Sequence, residues 1–206
     1  MRIIGLTGGI ACGKSHVSQC LKSLGAAIVD GDVLSRELTA SGGIALPQLR
    51  QTFGDTVFLP DGQLNRRALG SLVFGDDDAR KKLDDIMQPL LLQLIEQRID
   101  EAEKSGHAVC VLDMPLLYEK NLDRLCESVW CVYLPREEQI GRLMLRDGFT
   151  REEAEARLRS QMPAEEKKRR AQVTIDTSGT MEQTAAMIPA LYQAEAEQAA
   201  KEKCNE

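Results

Sequence analysis

The chain carries a complete GxxxxGK[ST] pattern close to its start, in the segment Gly8-Gly9-Ile10-Ala11-Cys12-Gly13-Lys14-Ser15. An apolar segment precedes it and a helical pattern follows it, which is the strand–loop–helix context in which this pattern binds phosphate. Glycines let successive N–H groups turn toward one anion, and the positive end of the helix dipole adds to the attraction. We therefore expect Lys14 to reach the β- and γ-phosphates of a nucleoside triphosphate and the Ser15 hydroxyl to ligate Mg²⁺. The alternative is a glycine turn that happens to contain Lys-Ser.

Strand patterns alternate with helical patterns along the rest of the chain, which predicts a three-layer α/β fold with helices on both faces of a sheet. Buried parallel strands are predicted at Arg2–Thr7, Ala26–Asp30, Ala108–Asp113 and Val129–Leu134, with a weaker one at Gln172–Asp176. The 206 residues fit one domain. We expect it to consist of a core (1–41, 106–140 and 171–206), a helical insert (42–105) and a helical lid (141–170).

Local signals indicate where helices begin and end. Gly25 is expected to end the first helix, and Pro89 is expected to begin a long one. Thr150 and Glu153 have the spacing of a capping box. The polar tail after about Ala194 is expected to fray.

Composition excludes some classes of protein. The chain has 26 Lys and Arg against 32 Asp and Glu, a net charge of −6, which disfavours a general nucleic-acid binder. No apolar stretch approaches the roughly 18 residues of a membrane span. The six cysteines form no CxxC pair, which is typical of reduced, buried thiols and not of a zinc site. We expect a cytoplasmic protein without a membrane or nucleic-acid partner.

Carboxylates follow two of the predicted strands. Asp30 and Asp32 end the second strand, and in open α/β sheets ligands bind beyond the carboxyl ends of the strands. One of the two could accept a proton from an attacking hydroxyl, and either could join a Mg²⁺ shell. Alternatively, Asp32 caps the next helix and Asp30 is a strand-end turn residue. Asp113 ends the third strand and is either a magnesium-organising carboxylate or a turn residue before Pro115.

A basic window spans Arg136–Arg170. Ten basic and eight acidic residues give it a net charge of +2, and the rest of the chain carries −8. Arginines in a mobile lid would bind the transferring phosphoryl group and exclude water. The alternative is a solvated helical surface with i, i+4 ion pairs, which would account for most of these residues. Arg146, which precedes Asp147-Gly148, is the one residue to which we do not apply this alternative.

The residues alone leave the class of reaction open. A guanine-specific switch lacks support, because Lys120-Asn121-Leu122-Asp123 has the letters of NKxD in the wrong order. Asp176-Thr177-Ser178-Gly179 matches DxxG, but a four-letter match of this kind is weak. A nucleotide switch that binds a protein partner remains one alternative, and a kinase with another small alcohol or nucleotide as acceptor remains another.

Beyond the phosphate loop, the chain resembles the dephospho-CoA kinase family from its first residue to about Gly179. The matching segments are Gly5-Leu6-Thr7-Gly8-Gly9-Ile10, Gly13-Lys14-Ser15, Leu24-Gly25, Asp30-Gly31-Asp32, Phe53-Gly54, Asp61-Gly62, Leu64, Pro115-Leu116-Leu117-Tyr118-Glu119, Arg146-Asp147, Gln161, Arg170-Ala171 and Val173-Thr174-Ile175-Asp176. The Asp-x-Asp and Pro-Leu-Leu-aromatic-Glu segments, in this order, are more specific than the loop.

The resemblance implies a P-loop NTPase fold of the nucleoside-monophosphate-kinase type, with a five-stranded parallel sheet, a helical CoA-side insert and a lid. It implies transfer of the γ-phosphoryl group of ATP to the ribose 3′-hydroxyl of dephospho-CoA, the last step of coenzyme A synthesis. The implied cofactors are ATP and Mg²⁺. The implied partner is the small molecule dephospho-CoA, bound by a monomer or weak oligomer.

The resemblance also implies roles for individual residues. Asp32 would be the general base, Arg146 would contact the phosphates, and Lys14 would complete the catalytic set. The residues expected to bind the nucleotide are Gly9, Ala11, Cys12, Gly13, Lys14, Ser15, His16, Thr177 and Gly179. The residues expected to contact the acceptor are Asp32, Pro115, Leu116 and Leu117.

The chain departs from the family pattern at three positions. Gly31 stands where alanine is usual between the two aspartates, and a smaller residue should be tolerated. His16 stands where threonine is usual, and it either reaches phosphate or lies on the surface. Gln88 replaces the histidine that often precedes Pro89 and could keep one hydrogen bond.

Overall fold

The structure, a computed structural model, describes residues 1–203 and is built around a parallel sheet in the order β2-β3-β1-β4-β5. The strands are β1 (Arg2–Gly8), β2 (Ala27–Asp30), β3 (Val109–Asp113), β4 (Ser128–Tyr133) and β5 (Val173–Asp176). Each predicted strand lies within one residue of these bounds, so the predicted α/β class is confirmed. The prediction succeeded because buried parallel strands consist almost entirely of apolar and β-branched residues.

Helices connect the strands. They are α1 (Lys14–Ser23), α2 (Gly31–Leu38), α3 (Leu46–Phe53), α4 (Arg66–Phe74), α5 (Asp77–Lys104), α6 (Arg136–Asp147), α7 (Arg151–Arg159), α8 (Ala164–Arg170) and α9 (Met181–Lys203). α1 follows β1 directly and packs on both α9 and β1. This arrangement leaves the segment between β1 and α1 at the carboxyl end of the central strand.

The two faces of β1 bury different residues because side chains alternate along a strand. Ile4 and Leu6 belong to a core cluster that includes Leu21 of α1 and Ile188 of α9. Gly5 lies on the other face, where an added Cβ would come within 2.6 Å of the Leu117 side chain. The sheet is therefore covered on both sides at its centre.

The structure confirms two predicted helix ends and corrects a third. α1 ends before Gly25, and Thr150 with Glu153 forms the capping box of α7. Pro89, however, lies inside α5 and does not begin it. α5 begins at Asp77, where the Asp76 carboxylate accepts backbone N–H bonds of 2.9 and 3.0 Å. This cap satisfies free N–H groups of the first turn. A proline at a helix start satisfies none of these groups and only removes one, because it has no backbone N–H.

The prediction that the tail frays after Ala194 is wrong, because α9 is helical to Lys203. Glu195 accepts a hydrogen bond of 2.7 Å from the Arg2 side chain and one of 3.3 Å from the Trp130 indole N–H. Ala199 is buried, and Glu202 forms a second ion pair with Arg2. Tertiary contacts therefore hold a segment that its local composition leaves weak.

The chain divides into two compact units, one of Met1–Val29 with the chain from Ile99 onwards, the other of Asp30–Arg98. The second unit is helical and has its own core, built from Leu38, Ala45, Leu49, Val57, Phe58, Leu64 and Leu69. The predicted bounds of insert and lid stay a prediction. Across residues 1–203, no helix is both long and apolar enough to cross a membrane.

Candidate active site

The phosphate loop lies between β1 and α1, as predicted. Gly13 precedes α1 in a left-handed conformation (φ 81°, ψ 19°), and no side chain caps the helix there. His16 and Val17 donate their N–H groups to the Gly13 carbonyl oxygen, which leaves the N–H groups of Lys14 and Ser15 available to an anion. An added Cβ at Gly9 would collide with the Gln139 amide nitrogen, and one at Gly8 would lie 2.6 Å from the Val132 carbonyl oxygen. At Gly8 the close neighbour is backbone, so that position needs glycine, whereas a side chain at Gly9 would displace the Gln139 amide.

Helix α6 supports the phosphate loop with two side chains that sequence reasoning missed. The Gln139 amide donates to the Ile10 carbonyl oxygen at 2.8 Å and to the Cys12 sulfur at 3.0 Å. Arg142, one turn further, donates to the Ala11 carbonyl oxygen at 3.5 Å. Gln139 is 2 % exposed although it is polar. No local signal in α6 pointed to it, because its partners lie more than a hundred residues away in the chain.

The loop after β5 is attached to the same structure. The Thr177 hydroxyl lies 2.8 Å from the Cys12 carbonyl oxygen and 3.0 Å from that of Tyr133. The Thr177 carbonyl oxygen accepts a hydrogen bond of 2.6 Å from Arg142. Gly179 lies nearby in the chain and is exposed. Two segments expected to contact the nucleotide, the phosphate loop and the loop after β5, are thus joined directly.

Lys14 and Asp113 form an ion pair beside the phosphate loop. Asp113 is 3 % exposed at the carboxyl end of β3 and lies opposite Leu6 of β1 in the strand register. A buried carboxylate needs a charged partner, and here the partner is the lysine of the phosphate loop. Asp113 is therefore part of the site and not merely a turn residue.

The site offers oxygen ligands for a divalent cation. Ser15, exposed in the first turn of α1, and Asp113 supply a hydroxyl and a carboxylate of the kind that Mg²⁺ prefers. No group of three or more His, Cys, Asp and Glu side chains is placed to hold a metal within residues 1–203. This donor set fits Mg²⁺ bound mainly by nucleotide phosphates and water, with only one or two protein ligands.

Cys12 and His16 have contacts of their own. Cys12 is 1 % exposed, and burial raises the pKa of its thiol to about 11. The His16 imidazole lies 3.1 Å from the Met181 carbonyl oxygen at the start of α9. In this arrangement Cys12 can offer only its backbone to a phosphate, and the His16 ring is engaged with α9.

Arg146 is exposed at the end of α6 and pairs with its neighbour Asp147 through hydrogen bonds of 2.9 and 2.7 Å. This contact raises the pKa of Arg146 and lowers that of Asp147. The structure thus brings Arg142, and not Arg146, into contact with the phosphate loop. A phosphate contact by Arg146 stays a prediction.

The segment after β3 is only partly open to a ligand. Pro115 and Leu116 are half-buried, whereas Leu117 is fully buried beneath Gly5. The Pro115 carbonyl oxygen accepts hydrogen bonds from the Thr7 hydroxyl and from Lys167. The Leu117 side chain therefore packs against the sheet and does not line an open cleft.

A cavity of about 280 Å³ borders the phosphate loop. It is lined on one side by Gly9 and Ile10 and on the other by α6, α7 and the start of α8, including Arg136 and Arg159. Space for a ligand group therefore exists next to the loop, with arginines at its border.

Asp30 and Asp32 belong to the second compact unit and have different roles. The Asp30 carboxylate caps α2, accepting backbone N–H bonds of 2.8 Å from Asp32 and 3.1 Å from Val33. The sequence alternative that gave this cap to Asp32 is wrong. The Asp32 carboxylate is exposed and has no hydrogen bond or ion pair within the residues described for its unit.

A parallel sheet whose central strand runs into a phosphate loop gives the chain the fold of the P-loop NTPases. Shikimate kinase from Acinetobacter baumannii shares this fold, with a TM-score of 0.54 and 18 % identity over 96 % of this chain and 94 % of that one. The family model of dephospho-CoA kinase (CoaE) matches residues 2–183, so the chain belongs to the dephospho-CoA kinase family.

Individual relatives agree with this assignment. The dephospho-CoA kinase of Carboxydothermus hydrogenoformans is 46 % identical over 191 residues, which cover 93 % of each chain. The solved dephospho-CoA kinase from Campylobacter jejuni has a TM-score of 0.72 and 25 % identity, covering 95 % of this chain and 98 % of that one. The likeness spans nearly the full length of both relatives.

Proposed function

We propose that the chain transfers the γ-phosphoryl group of ATP to the ribose 3′-hydroxyl of dephospho-CoA, giving coenzyme A and ADP. The observation that carries this proposal is the phosphate loop with its Lys14–Asp113 pair, found in a chain of the dephospho-CoA kinase family. The reaction needs positioning and electrostatic stabilisation more than covalent chemistry from the protein.

The nucleotide would bind across the two joined loops. Backbone N–H groups from Gly9 to Ser15 and the Lys14 ammonium would hold the β- and γ-phosphates. Thr177 and Gly179 would lie beside the adenosine part. The hydrogen bonds that Arg142 makes to both loops keep these two halves of the nucleotide site together.

Asp32 would be the general base. Its carboxylate is exposed, while the capping role at α2 belongs to Asp30. It would accept the proton of the 3′-hydroxyl as that oxygen attacks the γ-phosphorus. The bond from the γ-phosphorus to the bridging oxygen then breaks, and ADP leaves.

Negative charge on the transferring phosphoryl group would be balanced by Mg²⁺ and by Arg146. Ser15 and Asp113 would hold Mg²⁺, which when bound neutralises negative charge on the phosphate oxygens. Arg146 would contact the phosphates from the lid, exchanging its hydrogen bonds to Asp147 for stronger ones to the doubly charged group.

The wider assignments follow from the same proposal. We propose a core of 1–41, 106–140 and 171–206, an acceptor-side insert of 42–105, and a lid of 141–170. The five cysteines within residues 1–203 are free thiols, which supports a reducing, cytoplasmic setting. We propose a monomer or weak oligomer that takes the small molecule dephospho-CoA as its partner.

An acceptor panel tests the function. Purified protein with Mg²⁺ and ATP is mixed separately with dephospho-CoA, adenosine, AMP and shikimate, and ADP release is followed. We expect dephospho-CoA alone to stimulate release, with coenzyme A identified as the product, and we expect Lys14→Ala to abolish it. Equal, slow release with every acceptor would instead favour a nucleotide switch, and stimulation by a different acceptor would change the substrate.

A further inference from the structure

Helix α8 carries a lysine whose side chain is completely buried. Lys167 is 0 % exposed, whereas its neighbours Lys168 and Arg169 are exposed. Burying an ammonium group is costly unless it is paired and hydrogen-bonded. The partners of Lys167 therefore show which parts of the chain the buried ammonium holds together.

Lys167 joins α8 to the segment that follows β3. Its ammonium lies 3.0 Å from Glu119 Oε1 and donates a hydrogen bond of 2.5 Å to the Pro115 carbonyl oxygen. Each of these acceptors has one further donor. The Thr7 hydroxyl of β1 donates to the Pro115 carbonyl at 3.1 Å, and the Met162 N–H donates to Glu119 Oε1 at 2.9 Å.

The two acceptors that this ammonium group binds thus connect three segments of the site. These are the central strand just before the phosphate loop, the segment from Pro115 to Glu119, and the connection between α7 and α8 that contains Met162. The last of these also lines the cavity beside the loop.

Stability alone is a weak explanation for this arrangement. A buried ion pair is often no more stable than well-packed apolar residues of the same volume, whereas removal of one partner is strongly unfavourable. Here the pair also leaves a buried acceptor atom, Glu119 Oε2, without a hydrogen bond among the residues described. What an apolar pair could not provide is the second, charged donor that the Pro115 carbonyl has beside the Thr7 hydroxyl.

We propose that Lys167 is a positioning residue of the reaction: it fixes Pro115 and the α7–α8 connection in the geometry that the acceptor requires. The phosphate loop does not depend on it, because Gln139, Arg142 and Thr177 hold that loop through other contacts. Loss of Lys167 therefore affects acceptor use and leaves ATP binding intact. The inference rests on the proposed function for its kinetic consequence only.

Three variants test the inference by kinetics and thermal unfolding. Lys167→Met removes the ammonium, Lys167→Met/Glu119→Gln also removes the charge left behind, and Arg169→Gln is the control for an exposed, paired cation of the same helix (77 % exposed). We expect Lys167→Met to lower kcat with dephospho-CoA by about 100-fold, as small misplacements of reacting groups do. Its KM for ATP should stay unchanged, and Arg169→Gln should behave as the wild-type protein.

The double variant separates positioning from stability and remains informative if the single variant fails to fold. We expect its unfolding temperature to return to that of the wild-type protein while kcat stays low, because the Pro115 carbonyl keeps only the Thr7 hydroxyl and still lacks the ammonium donor. Recovery of both quantities would overturn the proposal, since Lys167 would then serve stability alone. Wild-type kcat in a folded Lys167→Met protein would overturn it as well.

Amide hydrogen exchange tests the link without any assay of activity. Exchange at the Met162 amide and across 115–119 should be faster in the double variant than in Arg169→Gln, and exchange in the phosphate loop should be equal in both. If the wild-type protein fails to phosphorylate dephospho-CoA, the proposed function is wrong, but this exchange difference still supports the link. Equal exchange in the two proteins would refute the link itself.

Discussion

The Arg142 guanidinium donates a hydrogen bond of 2.6 Å to the Thr177 carbonyl oxygen. Arg142 comes from α6 and Thr177 follows β5, so the bond closes the gap between two elements that both border the phosphate loop. The same guanidinium also reaches the Ala11 carbonyl oxygen inside that loop. The nucleotide site is thereby assembled from parts that are distant in the chain.

Arg142→Ala should weaken ATP binding. A hydrogen bond to a charged group contributes about 1.5–3 kcal/mol, so we expect the KM for ATP to rise by at least about tenfold. Arg146→Ala provides the comparison, because Arg146 makes no bond to either loop. If Arg146 contacts only the transferring group, its loss lowers kcat and leaves KM for ATP nearly constant. Steady-state kinetics of the two variants distinguish these roles. An unchanged KM for ATP in Arg142→Ala would contradict the role that we assign to Arg142.

Asp32→Asn should nearly abolish phosphoryl transfer while ATP still binds. A positioned general base contributes typically about 10²–10⁴-fold in rate, and asparagine cannot accept the proton. Asp30→Asn is the matched control, since asparagine caps a helix about as well as aspartate and α2 should remain intact. Rapid-quench kinetics measure the rate of phosphoryl transfer, and calorimetric titration measures the affinity for ATP. Wild-type turnover in Asp32→Asn would rule out Asp32 as the general base.

Cys12 should resist alkylation despite its place in the phosphate loop. Burial raises the pKa of its thiol to about 11 from an ordinary 9.0, so the reactive thiolate is scarce at pH 8. Iodoacetamide labelling followed by mass spectrometry should modify half-buried Cys20 before Cys12. Rapid labelling of Cys12 with loss of activity would contradict this expectation.

The same shift predicts a loss of stability in alkali. A thiol whose pKa is higher in the folded than in the unfolded chain holds its proton more tightly when folded, so between pH 9 and pH 11 the unfolded state binds fewer protons. The contribution of this thiol to the free energy of unfolding should be constant below pH 9 and should fall as the pH rises through that interval. Urea denaturation at pH 8 and pH 10 measures the difference, which should shrink in Cys12→Ala.

Glu195→Ala should destabilise the fold without changing the chemistry of the site. Glu195 accepts hydrogen bonds from Arg2 and from the Trp130 indole, and its side chain is 12 % exposed. Leaving these donors unsatisfied costs about 1–3 kcal/mol. Urea denaturation should show this loss, whereas Glu197→Ala, which removes only an exposed contact to Gln193, should match the wild-type protein. Equal midpoints for both variants would contradict the role of Glu195.

Local patterns predicted the strands and the phosphate loop because both depend on neighbouring residues. The apolar run before Gly8 and the spacing of Gly13 and Lys14 carry their own structural meaning. Gln139 and Arg142 escaped prediction because their partners in the phosphate loop lie more than a hundred residues away in the chain, and nothing in α6 alone identifies them.

Helix bounds failed where a tertiary or capping contact outweighed a local rule. Pro89 was assigned to a helix start, but the Asp76 cap begins α5 a full three turns earlier. The tail after Ala194 was assigned to a frayed end, but Arg2 and Trp130 bind it. Both failures arise from information that a window of ten or fifteen residues does not contain.

The position of β1 at the centre of the sheet has a consequence for synthesis on the ribosome. β1 and the phosphate loop leave the ribosome before the other strands, and the strands on either side of β1 begin only at Val109 and Ser128. In the nascent chain the apolar strand β1 therefore stays unpaired until more than a hundred further residues have been synthesised. During this time its exposed edges can form incorrect strand pairings. Affinity for nucleotide should arise late in translation, after α6 has been made and can support the loop.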